Sequence, residues 1–239
     1  MRWSVATVAE TVPETARAVT VHLDVPDWPG HRAGQHVDVR LTAEDGYSAQ
    51  RSYSIASAPG SERVALTVVR LDDGEVSPYL TTVLEAADQI EVRGPIGGYF
   101  VWDGEGGGPT APVLLLGGGS GVVPLMSMLR HHAATASPSP MRLVYSARTL
   151  GDVLYRDELP GLRGPNAVAD GEAVVTLTRE PSAAWTGRRG RVDRALLAEL
   201  GWPASARPRC YVCGPTPFVE AVADDLVALG HPPEMVRTE

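Results

Sequence analysis

The sequence predicts two domains of different construction: a small antiparallel β-barrel, followed by a doubly wound α/β domain on a parallel sheet. Three observations carry this. Over the first hundred residues, short runs alternate apolar with polar side chains, with turn clusters between them, as half-buried strands do. From Val113 onward, continuous apolar strands alternate with helical patterns, the order of βα units. Between the two stands Gly104-Glu105-Gly106-Gly107-Gly108-Pro109, read as a linker. The boundaries are drawn at 1–103 and 110–239.

In chain order, Met1-Arg2-Trp3-Ser4 runs straight into a strand-like segment, with no apolar signal core behind it. Strict alternation follows in Val19–Val25, Val37–Leu41 and Val64–Val68. Pro29-Gly30, Asp45-Gly46, Pro59-Gly60-Ser61 and Asp72-Asp73-Gly74 punctuate these strands. Val76–Ala86 reads as the one helix of this half. In the second half Val113–Leu116 is a buried parallel strand. After it come a helix over about Val122–His132, a strand at Arg142–Ser146 and a helical stretch near Asp157-Glu158-Leu159. Val174–Thr178 is the third strand, Val192–Leu200 a helix, Cys210–Cys213 the fourth strand and Phe218–Leu229 an amphipathic helix.

The 239 residues suit two domains of this size, and 44% hydrophobic with 21% charged residues suits a packed core. The formal charge of −8 argues against nucleic acid or anionic membrane as partners. No apolar run reaches the roughly 18–20 residues that span a bilayer, so a cytoplasmic address is the default expectation. No metal site is expected. Cys210 and Cys213 form a C-x-x-C, but on a strand positions three apart face opposite sides, which argues against a redox pair.

Three motifs carry chemistry. Gly117-Gly118-Gly119-Ser120-Gly121 stands where the first parallel strand gives way to a helix. There the backbone can approach a pyrophosphate and the helix N-terminus adds a positive dipole end. Pro124 is tolerated in the first helical turn. The same glycines also suit a plain tight turn. Arg51-Ser52-Tyr53-Ser54 lies on a barrel strand, where Arg offers a planar fork to phosphate and Tyr a face for a ring system; a half-buried strand is the alternative. Cys213-Gly214-Pro215 closes the fourth parallel strand at the carboxyl edge, where α/β sheets hold ligands, or is simply a turn with a buried thiol.

Together, in this order and on these elements, the motifs resemble those of the ferredoxin–NADP reductase superfamily, over essentially the whole chain. The resemblance implies a six-stranded antiparallel FAD-binding barrel and an NAD(P)-binding doubly wound domain. It places Arg51 at the FAD pyrophosphate, Tyr53 beside the flavin ring, with Ser52 on the same strand, and Ser54 facing the reactive nitrogen. Val68-Val69-Arg70 resembles the second flavin strand, Gly74-Glu75-Val76-Ser77 the phosphate-side turn, and Gly94-Pro95-Ile96-Gly97 the strand that closes the barrel. Gly117 to Gly121 with Pro124 would hold the dinucleotide pyrophosphate, and Cys213, Gly214 and Pro215 would lie by the nicotinamide. Ser54, Cys213 and Glu239 are the expected catalytic set, Glu239 as a proton relay. Two departures stand out. No cysteine cluster provides a fused two-iron ferredoxin, and the sequence stops at Arg237-Thr238-Glu239, short of the aromatic residue that commonly covers the flavin.

Thr178-Arg179-Glu180 resembles the Ser-Arg-Glu of NADP-linked members. Gly187-Arg188-Arg189-Gly190-Arg191 and Ser146-x-Arg148 bring further cations, so NADPH is favoured over NADH, with a solvated basic surface as the alternative. The function expected is hydride transfer from NAD(P)H to FAD, then single-electron delivery to a separate acceptor, a two-iron ferredoxin or a haem or oxygenase component. A monomer is the default expectation. The rival readings are a reductase of a small acceptor (quinone, free flavin or oxygen) and a flavin-binding electron-transfer subunit without its own nicotinamide activity.

Overall fold

The computed structural model describes residues 2–104, 111–159, 173–180 and 185–239. The expected linker from Glu105 to Pro109 therefore lies outside the described residues.

Six strands form the first sheet: β1 (Ser4–Thr15), β2 (Ala18–Asp24), β3 (His36–Thr42), β4 (Ser48–Ser54), β5 (Val64–Val69) and β6 (Gln89–Ile96). All pairings are antiparallel, in the order β4-β3-β6-β1-β2-β5. The two ends of that order meet where Ile55 bridges Leu66 and the Ala56 amide donates to the Ala65 carbonyl at 2.7 Å. This contact closes the barrel and leaves fewer strand edges open. Alternation sends Val21, Leu23, Val37, Val39, Leu66 and Val68 into one apolar interior.

The helix expected over Val76–Ala86 is shorter. Here α1 spans Ser77–Thr82, 6 residues. The Glu85 amide donates to Asp88 Oδ2 at 2.8 Å and Ala87 takes φ +73°, a turn geometry that ends the helix.

The second sheet is wholly parallel: β7 (Val113–Gly118), β8 (Met141–Ala147), β9 (Ala173–Leu177), β10 (Arg188–Arg189), β11 (Arg209–Cys213) and β12 (Val236–Thr238), in the order β10-β9-β8-β7-β11-β12. Its helices are α2 (Val122–Thr135), α3 (Arg194–Leu200) and α4 (Thr216–Ala228). Side chains of β7 alternate between two cores. Val113 and Leu115 pack with Val122, Leu125 and Met126 of α2, while Leu114 and Leu116 pack with Leu197 of α3 and Val222 and Leu226 of α4. A sheet covered on both faces explains the unbroken apolar run of this strand.

Three boundaries moved for local reasons. Asp193 Oδ1 accepts the Leu196 amide at 2.9 Å, an N-cap that starts α3 after the expected Val192. Pro215 is the N-cap residue of α4, which starts at Thr216, two positions ahead of the expected Phe218. The helical stretch expected near Asp157-Glu158-Leu159 is one turn: the Glu158 and Leu159 amides both donate to the Tyr155 carbonyl, and Tyr155 itself sits at φ +56°.

The two sheets are joined through buried and half-buried contacts. Tyr211 Oη donates to the Val101 carbonyl at 2.9 Å, Ser127 Oγ to the Ser57 carbonyl at 2.7 Å, and Arg130 Nη1 to the Ala56 carbonyl at 2.6 Å. Phe100 and Trp102 belong to the same apolar cluster as α2. Among the described residues no helix is long and apolar enough to cross a membrane.

Candidate functional site

A cleft of about 300 Å³ lies between β4, β5 and the start of the second sheet. Arg51, Ser52, Tyr53 and Ser54 line it from β4, Thr67 and Val69 from β5, and Gly74 to Ser77 from the following turn. Ser120 and Val123 close it from the other sheet's glycine turn and α2. Strand period two explains the β5 contribution: Thr67 and Val69 face the cleft, while Val68 is 0% exposed inside the barrel, so its side chain does not reach the site.

Tyr53 stands opposite Val37 in the β3–β4 register and packs on the barrel core. Burial pushes its phenol up to about 12, against the pull of Arg51, so it stays a neutral ring. Ser52 donates to Asp38 Oδ1 at 2.6 Å, and Arg93 donates to Asp38 Oδ2 at 2.6 Å. Burial alone would raise the Asp38 carboxyl, but these two bonds hold it below the usual carboxylate range. The Ser52 hydroxyl is thus engaged within the sheet. Arg51 donates through Nη1 to the Gln50 carbonyl at 2.7 Å and through Nη2 to Glu75 Oε2 at 3.3 Å.

The turn before α1 is tightly built. The Gly74 amide donates to the Leu71 carbonyl at 3.0 Å, and the Leu71 amide donates to Ser77 Oγ at 3.0 Å. A β-carbon on Gly74 would stand 3.0 Å from Ser77 Oγ and 3.1 Å from the Leu71 carbonyl oxygen. Ser77 therefore organises the turn, and its main chain presents Val76 and Glu75 to the cleft.

A second cleft of about 910 Å³ opens on the carboxyl edge of the parallel sheet. The sheet order reverses beside β7, the place where open α/β sheets receive ligands. Gly118, Gly119 and Ser120 line this cleft with Pro215 and Phe218, and Arg70 enters from the barrel. Val69, Leu71 and Ser120 line both clefts, so the two are contiguous.

The glycines of this turn serve different ends. A β-carbon on Gly117 would come within 3.1 Å of Val122 Cα, one on Gly118 within 2.9 Å of the Phe218 ring, and one on Gly121 within 2.2 Å of the Cys213 carbonyl oxygen. These three are required by packing of the protein on itself. Gly119 differs: it has φ +56°, and a β-carbon there would meet no protein atom within 4 Å. It projects bare main chain into the second cleft, a cradle suited to a phosphate. Pro124 is buried in α2 and lines neither cleft.

The expected cations separate into two groups. Arg148 and Arg179 line the second cleft with Ser146 and Thr178, and the Arg179 amide bonds the Arg148 carbonyl at 2.7 Å to hold the two strand ends together. Arg189 does not join them: its guanidinium donates to the Glu180 and Trp185 carbonyls. Arg188 pairs with Glu199. Arg191 lines the cleft instead. From the barrel side Arg17 lines the same cleft. Only its position in the β1–β2 turn sets it there, which no local pattern discloses.

Cys213 is 8% exposed and Cys210 0%, on opposite faces of β11 and in different cores. Burial pushes both thiols up to about 12, with the Glu239 charge adding to the effect at Cys213. Both are neutral thiols at physiological pH, packed rather than poised to attack. Gly214 packs against Gly118: a β-carbon there would stand 3.0 Å from the Gly118 carbonyl oxygen. Glu239 is tied to the end of β11 by its amide on the Val212 carbonyl at 3.0 Å. Its Oε1 lies 3.7 Å from Nδ1 of His36, and His36 is the register partner of Ser54. Ser54, Cys213 and Glu239 are thus gathered about the meeting of β4 with the ends of β11 and β12. Burial raises the Glu239 carboxyl, which favours a group that holds a proton.

Residues 6–101 match the family model described as oxidoreductase FAD-binding domain, and residues 115–224 match oxidoreductase NAD-binding domain. The ferredoxin–NADP reductase B of Sorangium cellulosum is 37% identical over 201 residues, covering 80% of this chain and 77% of that protein. The glycine betaine monooxygenase reductase subunit of Chromohalobacter salexigens is 36% identical over 202 residues, covering 83% of this chain but 53% of the relative. The chain thus spans about half the length of that relative. In fold, it is similar to the flavohem-like FAD/NAD-binding domain of nitric oxide dioxygenase from Vibrio cholerae O1 biovar El Tor. The TM-score is 0.82 at 24% identity, over 99% of this chain and 97% of the other.

Proposed function

This chain belongs to the ferredoxin–NADP reductase superfamily of FAD- and nicotinamide-dependent oxidoreductases, and from that membership we propose that it passes electrons from NADPH through FAD to a separate acceptor. We assign residues 1–103 to flavin binding and 110–239 to dinucleotide binding. FAD supplies the conversion between a two-electron hydride and single electrons. The rest is the work of the chain's own residues.

In this reading Arg51 holds the flavin pyrophosphate, with the main chain of the Gly74–Ser77 turn beside it. Tyr53 flanks the ring as a neutral, half-buried phenol, and Ser54 faces its reactive edge. Gly119 and Ser120 hold the pyrophosphate of the nicotinamide dinucleotide at the start of α2. Arg148, Arg179 and Arg191, with Ser146 and Thr178, take its 2′-phosphate, which is the support for NADPH. Glu239 keeps a proton near Ser54, and Cys213, at the end of β11 beside the glycine turn, lines the nicotinamide as a neutral thiol. The single observation that carries the proposal is the wall of Val69, Leu71 and Ser120 common to both clefts, because hydride transfer needs the two rings in contact.

The relative from Chromohalobacter salexigens is named as the reductase subunit of a glycine betaine monooxygenase. By that likeness we propose an acceptor protein of the same kind, a two-iron ferredoxin or an oxygenase component. One chain is proposed to suffice as a monomer, since residues of a single chain line both clefts. The test is anaerobic stopped-flow mixing of the holo-protein with NADPH or NADH. Bleaching of the flavin within milliseconds to seconds, faster with NADPH at low concentration, is the expected result. A flavin that neither dinucleotide reduces would refute the proposal.

A further inference from the structure

The first cleft contains a charge, that of Glu75, with no part in the proposed electron transfer. Among its lining residues Arg51 and Glu75 are the two that carry charge, so the side chains around the cleft sum to zero where a pyrophosphate would call for an excess of cations. Glu75 does not merely lie nearby. Its Oε2 accepts Arg51 Nη2 at 3.3 Å, and its Oε1 accepts the Tyr47 hydroxyl at 2.5 Å. Tyr47 is itself anchored: its amide bonds Asp45 Oδ1 at 2.9 Å and its carbonyl accepts the Ala43 amide at 2.8 Å. The β3–β4 turn thus supplies a hydroxyl that holds the Glu75 carboxylate, from the turn before α1, on the guanidinium that a phosphate would seek.

We infer that Glu75 competes with the FAD pyrophosphate for Arg51 and so sets how readily this chain gives up its flavin. The inference rests on the placement of that pyrophosphate at Arg51. A carboxylate and a phosphate oxygen accept from the same N–H donors of Arg, so whichever holds the fork excludes or weakens the other. The ion pair is open to solvent, with side chains 55% and 49% exposed. Breaking it therefore costs little, and the flavin binds despite Glu75 rather than being barred by it. What Glu75 changes is the margin: it lowers flavin affinity by neutralising the cation and by placing like charge beside the phosphate.

The test uses the full chain, with flavin removed and then titrated back as FAD or as riboflavin, which has no phosphate. Glu75→Gln keeps the size of the side chain and the bond from Tyr47 but removes the charge. The expected result is a Kd for FAD lowered about two- to fivefold, the factor that corresponds to an exposed ion pair, with slower FAD release on dilution. Riboflavin affinity should not change, and the gain should shrink in about 0.5 M salt. An unchanged or raised Kd for FAD in Glu75→Gln overturns the inference, since Glu75 would then be inert or would hold Arg51 in place for the flavin. Arg51→Ala separates the two levels. If it weakens FAD while Glu75→Gln does not tighten it, the competition alone is refuted; if Arg51→Ala leaves FAD binding unchanged, the pyrophosphate lies elsewhere and both readings are overturned. Because Glu75 lies at the surface, the flavin-free variant should melt with the parent chain, which separates an effect on binding from one on folding.

Discussion

The phenol of Tyr155 donates to Oγ1 of Thr67 at 2.6 Å, and so ties the turn after β8 to the floor of the first cleft. Thr67 in turn shares a 2.8 Å bond with Thr20 Oγ1, and Thr20 donates to Glu14 Oε1 at 2.6 Å. Glu14 closes the circuit by accepting the Tyr155 amide on Oε2 at 3.0 Å. Arg130 lies over the Tyr155 ring, 4.8 Å from its centroid. Burial keeps the phenol far above its usual value, so it is a permanent donor. Tyr155→Phe removes one buried bond worth about 1 kcal/mol, and the apparent Tm should fall by about 2–4 °C. Glu14→Ala, which strands two donors, should cost more. Calorimetry of the two variants checks the order; equal and negligible losses would mean the circuit does not hold the sheets together.

Arg191→Ala and Arg179→Ala should each raise KM for NADPH about 10–100-fold, the worth of a charge-assisted bond to phosphate, and leave KM for NADH nearly unchanged. Arg188→Ala is the control, because Glu199 holds its guanidinium. Steady-state kinetics with both dinucleotides decides it. Parallel losses with NADH would place these arginines away from the 2′-phosphate.

Cys213→Ala and Cys210→Ala separate packing from chemistry. Both thiols are buried, so either loss should cost about 1 kcal/mol. Only Cys213 ends the strand beside the glycine turn. Flavin reduction at saturating NADPH should slow more than about tenfold in that variant alone, with little change in KM. Equal rates in both variants would leave Cys213 a packing residue.

Acid should loosen the chain before carboxylates titrate. Burial lowers the imidazoles of His31 and His131, and the proximity of His131 adds to this at His31, while the Ser57 carbonyl at His31 and the Asp103 charge at His131 oppose it. A histidine depressed in the folded state stabilises fully above its unfolded value of about 6.5 and loses that contribution as pH falls through it toward the folded value. The Tm should therefore drop between pH 7.5 and 5.5, and His131→Gln should flatten the drop. An identical pH profile in the variant would assign the loss to other groups.

How much of this was legible in the sequence follows from the range of each interaction. The barrel strands and the buried strand β7 show themselves through period and burial, which are local. Arg188–Arg189 and Val236–Thr238 pair at the sheet's two edges with no apolar pattern to mark them. The choice between Arg189 and Arg191 depends on which guanidinium the loop carbonyls of Glu180 and Trp185 capture, a matter of folded geometry two residues apart. The pairing of Arg51 with Glu75 spans 24 positions and two turns. The glycine turn was visible as a motif, yet most of its glycines answer to Val122, Phe218 and Cys213 and one alone to open space.

Val69, Leu71 and Ser120, held in common by the two clefts, have a thermodynamic consequence under the proposed assignment of ligands. Two molecules that touch the same wall do not have independent affinities. Whatever factor bound flavin contributes to the grip on the dinucleotide, the dinucleotide must return to the flavin in equal measure. Leu71, 61% exposed and therefore cheap to alter without disturbing the core, is where that reciprocity is most open to adjustment: trimming it would alter the mutual coupling of the pair as well as the hold on each alone.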